Sequence, residues 1–282
     1  MAIERARYFP EISREEMSAE ALALAFDANT DLSKRAVIEA IAATMNSLGD
    51  PLERIWLEDA NGRGRTYKVN QALTVLGGQS DFRCLWAIPE SERRNRQSRW
   101  LKAAIIDNMA VNGATLFFAI PRGMTKEFVP HMTLLKSLAQ MDIVPQYGFG
   151  YMREYGPPDD FAVGHAYEHG TRAIDLADRG RQSALNDARG GNQVGNADPC
   201  GHALRLIPDV FPLNILSDAL MRRKLGDASF KEWILQNTGF ASLTKIGPRC
   251  FAWSVPSSRA AAVSAQLNEF GLIVASRPRR VH

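Results

Sequence analysis

His165-Ala166-Tyr167-Glu168-His169 carries the sharpest catalytic pattern in this sequence. In an H-x-x-E-H segment the two imidazoles stand four residues apart. A helix then places them on one face, where both reach one zinc ion while the glutamate activates the metal-bound water. Such a centre needs a further ligand from elsewhere in the chain, and Glu232 and Glu269 are the downstream glutamates that qualify. Against this, Gly164 and Gly170 bracket the motif and weaken the helix that would have to hold it. Motifs this short also recur by chance. A zinc-dependent hydrolase using His165, Glu168 and His169 is therefore carried as an alternative. Cys200 and His202 lack the paired spacing of a structural zinc site, and the sequence assigns no cofactor.

A second set of residues could meet a charged partner. Arg93, Arg94, Arg96 and Arg99 lead into Trp100, and the tail holds Arg277, Arg279 and Arg280. Guanidinium forks fit phosphates, and an indole stacks on a base. Glu90 and Glu92 dilute the first cluster, however, and 34 Lys plus Arg against 31 Asp plus Glu leave a formal net charge of only +3. That balance does not single out nucleic acid, so a nucleic-acid-binding accessory protein is the second alternative. The same arginines suit an acidic protein surface. Trp100, Tyr151, Tyr155 and Arg96 are of the residue types that anchor protein interfaces. No G-x-S-x-G elbow is present, Gly62-Arg63-Gly64-Arg65 is a short basic turn without a G-K-[ST] ending, and Gly148-Phe149-Gly150 lacks the third glycine of a dinucleotide fingerprint.

The elements that must position these residues follow from periodicity. With 282 residues, 45% hydrophobic and 23% charged, the chain is long enough to bury its own core. Ser13-Arg14-Glu15-Glu16 has capping-box spacing, and the Ala- and Leu-rich run Met17 to Phe26 predicts a first helix. A second helix is predicted over Leu32 to Leu48, with Asp31 as N-cap and Gly49 beyond its end. Extended segments are expected over Thr66 to Val69, Leu73 to Leu76 and Phe82 to Ile88, with Gly77-Gly78 as a turn, and a buried strand over Ala114 to Ile120. A helix over Thr125 to Met141, starting near Pro130, precedes a strand over Ile143 to Tyr151. Gly, Asn, Asp and Arg dominate from Arg179 to Gly201, which reads as a long loop.

Further on, Ile215 to Leu225 predicts a helix stopped by Gly226, and Ser229-Phe230-Lys231-Glu232 a second capping box. A hairpin of Ala241 to Ile246 and Cys250 to Val255, a helix over Ser257 to Phe270 and a strand over Leu272 to Ala275 complete the order. The pattern is that of an α+β protein, a mainly antiparallel sheet with packed helices and a Gly/Asn-rich loop near 179–201. We expect one domain over 1–282 with an N-terminal helical segment; the loop offers a subdivision into 1–178 and 202–282. The early charges of the N-terminal segment and the odd, widely spaced Cys84, Cys200 and Cys250 lead us to expect a cytoplasmic protein with reduced thiols. Cys84 and Cys250 are expected to pack as small hydrophobes.

Tyr147-Gly148-Phe149-Gly150-Tyr151 and Phe211-Pro212-Leu213-Asn214-Ile215-Leu216 carry a resemblance. Over roughly residues 114–275 the chain resembles the immunity proteins associated with bacterial type VI secretion. The resemblance implies an α+β cytoplasmic protein that binds and occludes a toxic effector, and it transfers no catalytic residues.

Overall fold

The computed structural model describes residues 18–27, 30–32, 35–59, 61–78, 82–90, 102–108, 113–121, 128–154, 207, 210–237 and 242–273. In chain order the elements are β1 (Ser18–Asp27), α1 (Arg35–Ser47), β2 (Leu52–Asp59), β3 (Gly64–Lys68), α2 (Val69–Gly78), β4 (Phe82–Pro89), β5 (Lys102–Asn108), β6 (Gly113–Pro121), α3 (Val129–Gln140) and β7 (Tyr147–Glu154). They continue with β8 (Leu213–Ser217), α4 (Asp218–Met221), β9 (Lys224–Leu225), β10 (Ala228–Ser229), α5 (Phe230–Gln236), β11 (Ser242–Gly247), β12 (Cys250–Ser254) and α6 (Ser257–Glu269). Ten strands form one sheet in the order β11-β12-β8-β7-β1-β6-β5-β4-β2-β3, and β9 pairs with β10 apart from it. The strand ladders are antiparallel, so the fold is α+β, and β7 pairing with β8 carries the sheet from the first stretch of chain into the second.

Residues 18–27 are not the first helix their composition predicts; they form a strand in the middle of the sheet, between β6 and β7. Leu22, Leu24 and Phe26 enter one core, while Ala21 enters another across the sheet. A helix would scatter positions 22, 24 and 26 around its axis, whereas a strand puts them on one face. Burial on both faces decides the structure against the helical propensity of Ala and Leu.

The same alternation runs through the whole sheet. Ile55, Leu57, Leu85, Leu116 and Phe118 face a core closed by α1 through Ile38, Ile41 and Met45, by α2 through Ala72 and Leu76, and by α3 through Leu134 and Leu138. Phe117, Phe149, Phe251 and Trp253 face a second core closed by α4, α5 and α6 through Leu220, Phe230, Trp233, Val263 and Leu267. One registered row on that second face crosses all ten strands: Thr66, Trp56, Trp86, Ala104, Phe117, Ala23, Phe149, Asn214, Trp253 and Leu243. Trp86 packs against the second core, and Trp56 and Thr66 lie beyond it.

Other expectations need correction. Leu73 to Leu76 belongs to α2, because Ala72 and Leu76, four apart, both seat in the first core. Ile215 to Leu225 is not one helix. Every residue of β8 is buried between β7 and β12, and only the short α4 follows. Ser217 caps α4 by accepting from the Leu220 N–H, and Gly226, at φ 62°, turns the β9–β10 ladder. α1 is described from Arg35 onward, and residues 33–34, through which Asp31 would cap it, lie outside the described residues. Leu272 to Ala275 is reduced, within the described residues, to a bridge of Ile273 with Ile207. The second capping box is present: Ser229 N–H donates to Glu232 Oε2 at 2.6 Å, and Glu232 N–H donates to Ser229 Oγ at 3.2 Å. Those bonds hold Glu232 below the usual carboxylate range and occupy it as a cap.

Candidate interaction edge

The end of the sheet at β3, where no further strand pairs among the described residues, is built by the β2–β3 hairpin. Asp59 Oδ1 accepts from the N–H groups of Asn61 and Arg63, both at 2.9 Å, and Gly62 takes φ 76°. An aspartate bonding its own following backbone, with a glycine in the left-handed region, is a self-contained turn. Asp59 N–H also donates to the Arg63 carbonyl at 3.1 Å. In an antiparallel ladder, hydrogen-bonded and non-bonded pairs alternate, so Leu57–Arg65 and Ile55–Tyr67 exchange bonds while Glu58–Gly64, Trp56–Thr66 and Arg54–Lys68 do not. The backbone groups of Gly64, Thr66 and Lys68 therefore point away from β2. Lys68 N–H, reaching Gln71 Oε1 at 3.4 Å, follows that direction.

Gly64, Arg65, Thr66 and Lys68 are exposed and Tyr67 is half-buried. The Trp56 indole lies across Gly64, where an added Cβ would sit 2.1 Å from its Cζ2. Directly across β2–β4, Trp56 registers with Trp86, and both are half-buried. On the opposite face a cleft of about 270 Å³ opens beside the hairpin. Leu57, Tyr67, Val75, Leu76 and Phe82 supply its apolar lining, and Glu58, Asp59, Arg63 and Arg65 its charged one. Backbone donors and acceptors, apolar surface and arginines thus meet at one edge, which is the equipment for holding an extended chain.

The other polar constellation is sealed. Glu20 Oε2 accepts from the Phe128 N–H at 2.8 Å, at the start of α3, and lies 3.9 Å from His131 Nδ1. Phe128 itself takes φ 54°, and edge contacts from Phe118 and Phe128 enclose the imidazole. His131 is fully buried with neither ring nitrogen hydrogen-bonded, and burial pushes its pKa down to about 4. This is a buried helix-start device with no opening for substrate. Asn214, also fully buried, accepts from Phe211 N–H and donates to the carbonyls of Phe211 and Trp253; it ties β8 to its neighbours and does not cap the next helix. Cys250 packs as a small hydrophobe, its thiol pushed up to about 12 by burial.

Trp100, Arg96, Tyr155, His165, Glu168, His169, Cys200, His202 and the arginines of residues 93–99 and 277–280 lie outside the described residues, as does the 179–201 loop. Tyr151 is on β7, its side chain outside the described set, and Cys84 is on β4 in the same position. Glu269 is exposed at the end of α6. Among the described residues no group of three or more His, Cys, Asp and Glu side chains is placed to hold a metal ion, and no helix is long and apolar enough to cross a membrane. Sequence reasoning missed β2 and with it Trp56. The signal was present: Asn61-Gly62 between two runs of alternating character is a strong short-range hairpin mark.

No family model and no curated protein matches the chain. Among solved structures, the T6SS protein PA0821 of Pseudomonas aeruginosa is similar at a TM-score of 0.54 and 11% identity, covering 91% of this chain and 77% of that one. The likeness is one of fold.

Proposed function

We propose that this protein binds another protein, and that it serves type VI secretion as an immunity factor occluding a toxic effector. The observation that carries the reading is the fold likeness to a T6SS protein over most of the chain. The exposed β3 edge, with Trp56, Arg63, Arg65 and Tyr67 about it, supports the binding part, because aromatic and arginine side chains around an open edge are the usual anchors of protein recognition. Occlusion asks little chemistry of the binder. A rigid sheet presents an edge or a face, and the effector's active site is covered by steric exclusion. The function is exercised in the cytoplasm, where a cell must neutralise effectors delivered by its neighbours.

The test is capture and rescue. The tagged full chain is recovered from its native cells, and each stoichiometric partner is expressed alone and then with the chain. The reading expects a partner whose expression arrests growth and whose toxicity the chain relieves in proportion to complex formed. A partner that is harmless alone, or a toxic one that the chain binds without relieving the arrest, would overturn the immunity assignment.

A further inference from the structure

The two ends of the ten-stranded sheet differ in what they offer a partner. At β11 the ladder with β12 shifts register between Lys245 and Gly247. Gly247 is pressed against α3, where an added Cβ would stand 2.9 Å from Ala139 Cβ. A bulge and a close helix blunt an edge. At β3 the register with β2 is unbroken from Gly64 to Lys68, and the flat edge is exposed. Thr66 sits at its centre with N–H and C=O directed outward by the alternation of the ladder.

The cations of this edge lie on β3 and its turn, and the acids Glu58 and Asp59 lie across from them on β2. From residue 60 to residue 78 the sequence holds Arg63, Arg65 and Lys68 and no Asp or Glu. Arg65 and Lys68 make no ion pair with a described residue. Asp59, the acid nearest in sequence, is committed to the turn through its Oδ1. Arg65 stands over the cleft face with Tyr67, and Lys68 over the Trp56 face, so an added strand meets a cation on each of its two faces.

We propose that β3 is a docking edge onto which a protein partner adds an extended acidic segment as a further strand of the sheet. The segment pairs its backbone with Gly64 and Thr66, sets carboxylates against Arg65 and Lys68, and seats one apolar side chain in the cleft beside Tyr67. Main-chain bonds supply affinity and the alternate side chains supply specificity. A second copy of this chain is disfavoured, because two β3 strands side by side gather two sets of Arg63, Arg65 and Lys68 at one seam. The inference names the mode of binding within the protein-binding reading above and rests on it.

The test needs no effector. A display library of random linear peptides of about ten residues, long enough for one added strand, is selected on the full chain. The expected result is enrichment of peptides alternating Asp or Glu with apolar residues. Thr66→Pro removes an outward N–H that the hairpin does not use, a substitution an edge strand tolerates. It is expected to weaken the selected peptides by roughly tenfold or more while circular dichroism and Tm stay close to the parent. Arg65→Glu with Lys68→Glu is expected to abolish the acidic preference, and it decides the matter should the proline variant not fold. Lys245→Glu on β11 is expected to leave binding unchanged. Absence of enrichment, enrichment without acidic residues, or equal binding to the Thr66→Pro and doubly reversed chains would overturn the proposal. So would a micromolar dimer of the parent chain that Thr66→Pro dissociates, since a second copy would then be the occupant. Failure of growth rescue in the capture experiment bears on the immunity role alone and leaves this selection intact.

Discussion

Trp56 and Trp253 stand in the same transverse row of the sheet and lead opposite lives. Trp253, on β12, is fully buried under α5 and α6, edge-on to Phe230 at 5.5 Å between ring centroids. Trp56, on β2, is half-buried and lies over the glycine of an exposed edge strand. One end of this row is core and the other is surface, although the strand pattern that places them is the same. Alternation in a strand says which residues share a face; whether that face is covered depends on where the helices return. Here α4, α5 and α6 return over β8 and β12, and the β2–β3 end of that face keeps its aromatic residue part-open.

That comparison can be broken in graded ways. The largest effect is expected from Trp253→Ala, which empties a sealed site and should cost about 4 kcal/mol, against about 1 kcal/mol for Trp56→Ala. Denaturant unfolding of the two variants measures both; equal costs would mean that the β2–β3 end is as closed as the other.

Next comes the pH response of the sealed side. His131 has its pKa lowered to about 4 by burial, against 6.5 for a free histidine. A depressed pKa means that the unfolded chain binds the proton more readily. Nothing is lost above pH 6.5; stability then falls as pH drops towards 4, by up to about 3 kcal/mol for this one group. The difference in stability between the parent and His131→Leu, followed from pH 7.5 to 4, isolates this contribution from that of the carboxylates. A difference that does not change with pH would show the imidazole to be solvated.

Glycine substitutions sharpen the contrast by a smaller amount. A Cβ at Gly148, in the middle of the sheet, would meet the Ala23 carbonyl oxygen at 2.8 Å as well as Leu24 Cδ2 at 2.5 Å, and a backbone atom cannot step aside. Gly148→Ala is expected to cost about 3 kcal/mol. At Gly64 the obstacle is an indole with solvent beside it, so Gly64→Ala is expected to cost about 1 kcal/mol and to raise the exposure of Trp56, read as a red shift of its fluorescence. The smallest effect belongs to the Arg249–Asp142 ion pair at 2.7 Å, which ties the β11–β12 turn to the end of α3 with both side chains mostly exposed. Arg249→Ala, which leaves the positive φ of Asp142 untouched, should shift stability by less than about 1 kcal/mol and less still in high salt.

What could be read from the residues alone was whatever local chemistry decides. The Ser229–Glu232 capping box, the β11–β12 hairpin around Gly247-Pro248, and α6 with its stop at Gly271 all depend on neighbours within a few residues, and all are present. The elements that were misread are those settled at long range. β1 and β8 have the composition of helices, but each lies between two strands that join it from far along the chain. Gly148 and Gly150 stood out in the sequence as part of an aromatic motif. Their reason is steric: Leu24 and Ile215 lie over the first, Phe128 and Leu213 over the second. The candidate site was legible in its turn and in the extended run from Thr66, since Arg63 and Arg65 read as a basic loop, while the strand carrying Trp56 went unassigned. The openness of an edge is a property of the assembled sheet, and no spacing of residues encodes it directly.

Among the described residues β3 has no strand on its outer side. Amide hydrogen exchange in the free full chain tests it residue by residue. The Arg65 and Tyr67 amides are expected to be protected by their bonds to β2, while the Thr66 amide between them exchanges orders of magnitude faster. Protection of Thr66 equal to that of its two neighbours would show the edge already paired and leave no place for an added strand.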